Sequence, residues 1–408
     1  MSATPTSLPD LPQAEQLAPP ASTSRSRVLW LSCVAHALHD GYTDMIYVLL
    51  PIWQTDFGLS YGALAMLRGI YAGTMASLQL PAGHLARRFG NKAVLAWGTL
   101  LAAIGYAAAG ASGSLLGLCV ALALSGSGSS TQHPLASGAV ARVYGRDARR
   151  PLSIYNFAGD LGKAALPAAV ALLVTLMPWR HALWMVSALG CVVAVAIVLF
   201  LPSIPRSAPP AEEASDQVRK TAGTGFNLLL AIGVLDTAVR MGLLTFLPFL
   251  LKAKGASTPM VGTALALVFI GGAAGKFACG WLGARVGVIG TVLATEGGTA
   301  ALIIAVMLCP LWPSLVLLPL LGVMLNGTSS VLYGTVPELA PAHATERAFA
   351  LFYTGTIGAG AIAPVIYGLL GDQIGVQGAT FATALTALAI YPLAIALRAH
   401  IVPDEPRP

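Results

Sequence analysis

Ionisable side chains inside long apolar runs are the first residues in this chain that could do chemistry. The segment CVAHALHDGYTDMIYVLLP carries His36, His39, Asp40 and Asp44 near its middle. At 100° per residue, His36, Asp40, Thr43, Asp44 and Tyr47 share one arc of a helix, with His39 at its edge. A carboxylate beside an imidazole in a low-dielectric setting is a place where a proton is held and passed on near neutral pH. The bland reading of His36 and Asp40, one turn apart, is a structural pair that satisfies itself. The same nitrogen and oxygen donors also suit a first-row divalent metal, provided His36 and His39 both point inward.

Further along, SGSGSSTQHP (residues 125–134) places Gln132 and His133 before a proline that frees a backbone carbonyl and bends a helix. Its small residues read as helix-packing positions. An i, i+4 pairing of Ser129 with His133, or of Ser127 with the same imidazole, is the only hint of a nucleophile and base. The absence of a His in the second copy of this segment argues against a hydrolase, so the chain is expected not to be an enzyme. Asn156, Asp160, Lys163 and Pro167 fall on one stripe, with Asp160 and Lys163 spaced to neutralise each other. Asp236 and Arg240 repeat the pairing at i, i+4, and Arg240 is the leading candidate for holding an anion. Arg68, Lys276 and Glu296 are read as groups near helix ends that snorkel, with no assigned role.

These residues need helices that cross a bilayer to position them. Of the 408 residues, 56% are apolar and only 10% charged, with a mean hydropathy of +0.74; a soluble domain is about 25% charged. Spans of ~20 residues fit at about 28–53, 61–83, 93–111, 113–142, 151–177 and 181–202, and again at about 226–251, 258–283, 288–309, 313–337, 347–371 and 376–399. The expected fold is an all-α polytopic membrane protein with twelve transmembrane helices in two six-helix bundles. Residues 1–27 read as a cytosolic tail, 203–225 as a polar linker and 400–408 as a second tail.

Lys and Arg in the loops set the orientation. With both termini cytosolic, only Arg180, Lys252 and Lys254 fall outside, while Arg87, Arg88, Lys92, Arg142, Arg149 and Arg150 are among those inside. The net charge of +6 is thereby a topology signal, and no nucleic-acid partner is expected. The five cysteines stand singly, without metal-ligand spacing, so neither disulfides nor a zinc site nor any cofactor is expected. No Gly-x-x-x-x-Gly-Lys-Ser/Thr motif occurs, which leaves ATP-driven pumping unsupported.

The halves repeat at an offset of about 196 to 200 residues, as parallel repeats do. Asp40 matches Asp236, Pro51 matches Pro248, GHLARRFG (83–90) matches GWLGARVG (280–287), and Ser129-Ser130 match Ser329-Ser330. This layout resembles the major facilitator superfamily. Within it, His36, Asp40, Pro51 and the Gly126–Pro134 run followed by Ala141-Arg142 resemble the fosmidomycin-resistance branch of drug-efflux carriers. The chain departs from the superfamily pattern at Arg87 and Ala284, where the loop after the second span and its copy usually carry Asp. It also has Leu135 and Asp160 where the branch often has an acid and an Asn.

The resemblance implies a monomeric inner-membrane carrier that binds a small molecule and protons and works by alternating access. The expected activity is proton-coupled efflux of a small toxic, polar or anionic compound; export of a divalent metal or metal chelate is the alternative. Proton coupling is expected at Asp40, His36, His133, Asp160 and Asp44, and substrate binding at Arg240, Lys163, Tyr47, Asn156, Asp236 and Gln132. Gating is expected at Gly83, Arg87, Arg88, Gly90 and Arg142.

Overall fold

Helices are the only regular elements among the residues described by the computed structural model, which are 22–203, 223–340 and 345–401. Apolar runs with no water to bond their backbone must close every hydrogen bond within the segment, and helices do this. The first half comprises α1 (Ser22–Phe57), α2 (Tyr61–Ser77), α3 (Gln79–Phe89), α4 (Asn91–Ala111), α5 (Leu115–Ser129), α6 (Gly138–Tyr144), α7 (Arg149–Leu176) and α8 (Trp179–Phe200). The second half comprises α9 (Thr224–Ala253), α10 (Thr258–Leu308), α11 (Leu311–Leu339) and α12 (Thr345–Leu397).

Twelve crossings emerge once the breaks are read. The second is α2 continued by α3, and the fourth is α5 and α6 joined by a π-helical turn at His133–Ser137, where Pro134 removes a donor. Two long helices each contain two crossings, α10 broken at Gly287 and α12 at Gly375. Gly287 has φ of 73° and its counterpart Gly90 has φ of 90°, a region favoured by glycine alone. Eight segments among the described residues are long and apolar enough to cross a membrane by themselves. The chain is a multi-pass membrane protein of two pseudo-symmetric six-helix bundles. α1 already begins at Ser22, inside the segment read as a tail, while the linker core and most of both tails lie outside the described residues.

The bundles meet along two seams, α2 with α12 and α7 with α10, while α1 also touches α9. The start of α9 and the end of α12 lie side by side, since a Cβ on Gly225 would sit 2.8 Å from His400; this is the end of the molecule that carries the termini. At the opposite, far end the seams are tight. A Cβ on Gly69 would meet the Ala361 carbonyl at 2.8 Å, and one on Gly262 the Ala171 methyl at 2.4 Å. One to two turns toward the termini the first seam has parted, because a Cβ on Gly73 or on Gly358 would meet nothing within 4 Å. The first seam therefore parts toward the termini end and is closed toward the far end.

Candidate functional site: a charge ladder between the bundles

Close approach of α1 and α7 builds the centre of the site. Gly41, Gly159 and Gly162 let the two backbones touch: a Cβ on Gly162 would lie 2.0 Å from the Ala37 carbonyl, and one on Gly159 would lie 2.5 Å from the His36 ring and 2.6 Å from Asp40 Oδ2. His36 and Asp40 are 4% and 5% exposed. The Tyr155 ring stacks on His36 with centroids 4.0 Å apart.

Proton positions around His36 follow from its partners. Nδ1 is 2.8 Å from the Tyr155 carbonyl oxygen, which only accepts, so Nδ1 carries a hydrogen and donates it. Nε2 is 3.3 Å from Asp40 Oδ2, another acceptor. That contact is attractive only when a hydrogen lies between the two, on Nε2 or on the carboxyl, so the pair holds one proton beyond the one on Nδ1. His133 Nε2 stands 3.7 Å from Asp40 Oδ1, and Lys163 Nζ stands 3.3 Å from Oδ2.

From Asp40 the charges alternate outward. Lys163 is 4.0 Å from Asp160 Oδ1, and Asp160 is held far more tightly by Lys276 of α10, whose Nζ donates to both carboxylate oxygens at 2.7 and 2.6 Å. The ladder Asp40, Lys163, Asp160, Lys276 thus starts in the first bundle and ends in the second. Lys276 does not snorkel as expected from sequence; it crosses the seam, and Asp160 prefers it to Lys163 at i+3.

His39 lies outside the ladder. Its Nδ1 bonds Ser129 Oγ at 3.0 Å and its Nε2 bonds Thr99 Oγ1 at 3.1 Å, while Ser129 also bonds the Tyr71 hydroxyl at 2.9 Å. Thr99 gives its own hydrogen to the Leu95 carbonyl, so His39 is a neutral ring satisfied on both sides. Ser129, 1% exposed, faces His39 rather than His133, and Ser127 donates to the Ala123 carbonyl. The serine–His133 pairing does not form.

Asp44 joins a different group. Its Oδ1 is 4.0 Å from Arg68 Nη2, and the Arg68 guanidinium lies 5.2 Å from the Tyr47 ring centre and 6.0 Å from that of Tyr71. Arg68 is 3% exposed, buried against aromatic faces instead of reaching a helix end. The Tyr47 hydroxyl donates to Met241 Sδ at 3.4 Å across the bundles. Arg240 Nη2 lies 3.7 Å from Asp236 Oδ2 and donates to Thr237 Oγ1 at 3.4 Å.

Gln132 is fully buried beside Tyr155. Asn156 is exposed, and Tyr155 is the residue on that turn that meets the cluster. Of the expected gating residues, Gly83, Arg87 and Arg88 lie in α3 and Arg142 in α6; Arg88 rests over the Phe89 ring and Gly90 ends α3.

His36, Asp40 and His133 each offer a ligand atom within 4.8 Å of the others, a donor set that a divalent ion accepts. Against this, the Lys163 ammonium already supplies positive charge to the same carboxylate. His39 and Asp44, counted with the metal-type donors in the sequence, are committed elsewhere. Residues missed by sequence reasoning are Tyr155, Tyr71, Thr99, Lys276 as a bridge, and Asp372, which accepts from the backbone N–H of Tyr61 and Gly62 at 2.7 and 3.0 Å.

Comparison with known proteins agrees with this architecture. The Major Facilitator Superfamily model matches residues 32–235 and 228–408. A curated relative, the fosmidomycin resistance protein of Escherichia coli (strain K12), is 22% identical over 367 residues, covering 88% of this chain and 90% of that one. Among solved structures, a bacterial homolog of the human lysosomal transporter Spinster in an inward-facing, unoccupied conformation superposes with a TM-score of 0.78 at 16% identity, covering 95% of this chain and 100% of that one. A point mutant of the nucleoside transporter NupG superposes with a TM-score of 0.77 at 13% identity, over 92% and 99% of the two chains. With the match running through both halves of the chain, the protein belongs to the Major Facilitator Superfamily of transporters.

Proposed function

We propose that the chain is a proton-coupled antiporter of the inner membrane that exports a small polar or anionic organic compound by alternating access, with both termini cytosolic. The observation that carries the proton is the His36–Asp40 contact. With Nδ1 spent on a carbonyl, the 3.3 Å approach of Nε2 to Oδ2 calls for a further proton shared between the ring and the carboxyl. His133, its side chain 43% exposed, relays that proton between Asp40 and water in the open space.

When the proton leaves, Asp40 draws Lys163 closer; when it returns, Lys163 is released toward Asp160 and loosens the Lys276 bridge between the bundles. Lys163, 32% exposed, and Arg240, 18% exposed, line opposite bundles and hold the anionic end of the cargo, with Tyr47, Asp236 and Gln132 beside them. The efflux direction draws support from the relative named for resistance to fosmidomycin. Metal export is the weaker reading, because the ammonium of Lys163 already occupies the carboxylate that a cation would need.

Growth inhibition by fosmidomycin, measured in cells carrying the empty vector, the native protein or Asp40→Asn at equal membrane abundance, tests this. The native protein raises the inhibitory concentration and Asp40→Asn abolishes the gain. No gain with the native protein overturns the drug class; an undiminished gain with Asp40→Asn overturns the proton site.

A further inference from the structure

Toward the far end of the first bundle, α4 and α8 are locked together. Trp184 Nε1 donates to the Ala107 carbonyl at 3.2 Å and Ser187 Oγ to the Ala103 carbonyl at 2.7 Å, and a Cβ on Gly190 would lie 2.8 Å from the Ala103 methyl. Next to these bonds a groove of about 630 Å³ begins between the same two helices, running from Leu100 and Cys191 to Gly90 and Ser203. That volume falls in the range of ligand sites, about 300–1,000 Å³. Ser203 ends α8 on the way to α9, whose start lies beside the end of α12, so the mouth of the groove is at the termini end.

The groove has the depth of one leaflet. From Gly90 to Leu100 a helix rising ~1.5 Å per residue covers ~15 Å, half of a hydrocarbon core of ~30 Å. Ala96 and Ala194, both buried, form its floor, and Trp97, Val195, Val198 and Leu199, each more than half exposed, open it outward. The mouth carries charge of one sign. Lys92 lines it and no acid does; among the described residues Lys92 has no ion-pair partner. Asn91 is spent elsewhere, its Nδ2 donating to the Leu135 carbonyl at 3.0 Å, while Arg87 and Arg88 stand on the last turn of α3 just before the mouth.

We propose that the α4–α8 groove binds an anionic glycerophospholipid from the leaflet on the termini side, with its phosphate on Lys92 and an acyl chain lying over Ala96 and Ala194. A basic mouth between membrane helices recognises an anionic headgroup, and the apolar floor accounts for the chain. Inorganic phosphate would fill the mouth alone. A zwitterionic lipid would bring an ammonium for which the mouth offers no carboxylate. Trp97, deeper along α4, holds the amphipathic ring position at the boundary of headgroups and chains. The site depends on the fold and on the membrane, and on neither proton coupling nor the identity of the cargo, so it can fail without touching the proposed function.

Purified full-length protein in detergent, mixed with dioleoylphosphatidylglycerol, dioleoylphosphatidylcholine or inorganic phosphate, tests this by unfolding temperature and by native mass spectrometry. Phosphatidylglycerol is expected to raise the unfolding temperature more than phosphatidylcholine at the same concentration and to stay bound as one lipid, with no shift from phosphate. Lys92→Ala weakens that binding about fivefold, Lys92→Arg keeps it, and Arg398→Ala, an exposed cation at the same end, leaves it unchanged. Val198→Trp fills the groove from its exposed wall and displaces the lipid. Lys92→Gln gives the same readout if Lys92→Ala does not fold. Equal shifts with the two lipids, a shift with phosphate alone, or a preference that survives both Lys92→Ala and Val198→Trp overturns the site. A preference lost in Lys92→Ala and untouched by Val198→Trp would put the headgroup on the open surface and overturn the groove.

Discussion

The proposed proton site is built so tightly that its groups have nowhere else to go, and Gly159 shows how tight it is. A methyl there would press on the His36 ring and on Asp40 Oδ2 at once, and neither yields, because His36 is fixed by the Tyr155 carbonyl and ring. Overpacking of this kind costs about 1–3 kcal/mol. Gly159→Ala is therefore expected to lower the unfolding temperature and to weaken proton-driven transport, whereas Gly73→Ala, which adds its methyl to open space, does neither. Equal unfolding temperatures for the two variants would remove the argument. His39 teaches the complementary lesson: a histidine on the same helix, equally buried, has both ring nitrogens on hydroxyls and serves the packing of α1 against α4 and α5.

Helix lengths and breaks were legible in the sequence because bilayer thickness dictates the first and Gly or Pro the second. The π turn falls where His133-Pro134 announces a bend, and Gly90 and Gly287 break equivalent crossings. Partners across the seams were not legible: Lys276 and Asp372 are single charges, and their counterparts lie on helices far away in the chain. Asp372 is the instructive case. Its carboxylate caps the start of α2 through two backbone N–H groups, where the helix dipole adds to the bond, and so it fastens α12 to α2 at the far end. A hydrogen bond to a charged group is worth about 1.5 kcal/mol or more, a factor of about ten in population. Ala65, fully buried at this seam, is the reporter. In a background without native cysteines, Asp372→Ala is expected to speed maleimide labelling of Ala65→Cys about tenfold, and an unchanged rate would show that the cap does not hold the far end shut.

The proposed alternating access requires that each bundle move as one body, so that a bond cut on one seam is felt on the other. The two seams lie on opposite sides of the central space: Asp160–Lys276 ties α7 to α10, and Asp372 with Tyr61 and Gly62 ties α12 to α2. Lys276 is 41% exposed at its side chain, so water screens its bridge, and a contribution of about 0.5–1 kcal/mol is appropriate. If the bundles are rigid, Lys276→Gln raises the labelling rate of Ala65→Cys on the opposite seam by about two- to fivefold. Combining it with Asp372→Ala multiplies the two factors, because the sites share no partner and their free energies add. Asp40→Asn acts through the same ladder, since Lys163, released from Asp40, competes for Asp160; its effect is expected to vanish once Lys276 has been replaced. A Lys276→Gln protein whose opposite seam labels at the native rate would mean that α7 and α10 flex on their own, and the ladder would then be a local feature instead of the link between proton and rocking.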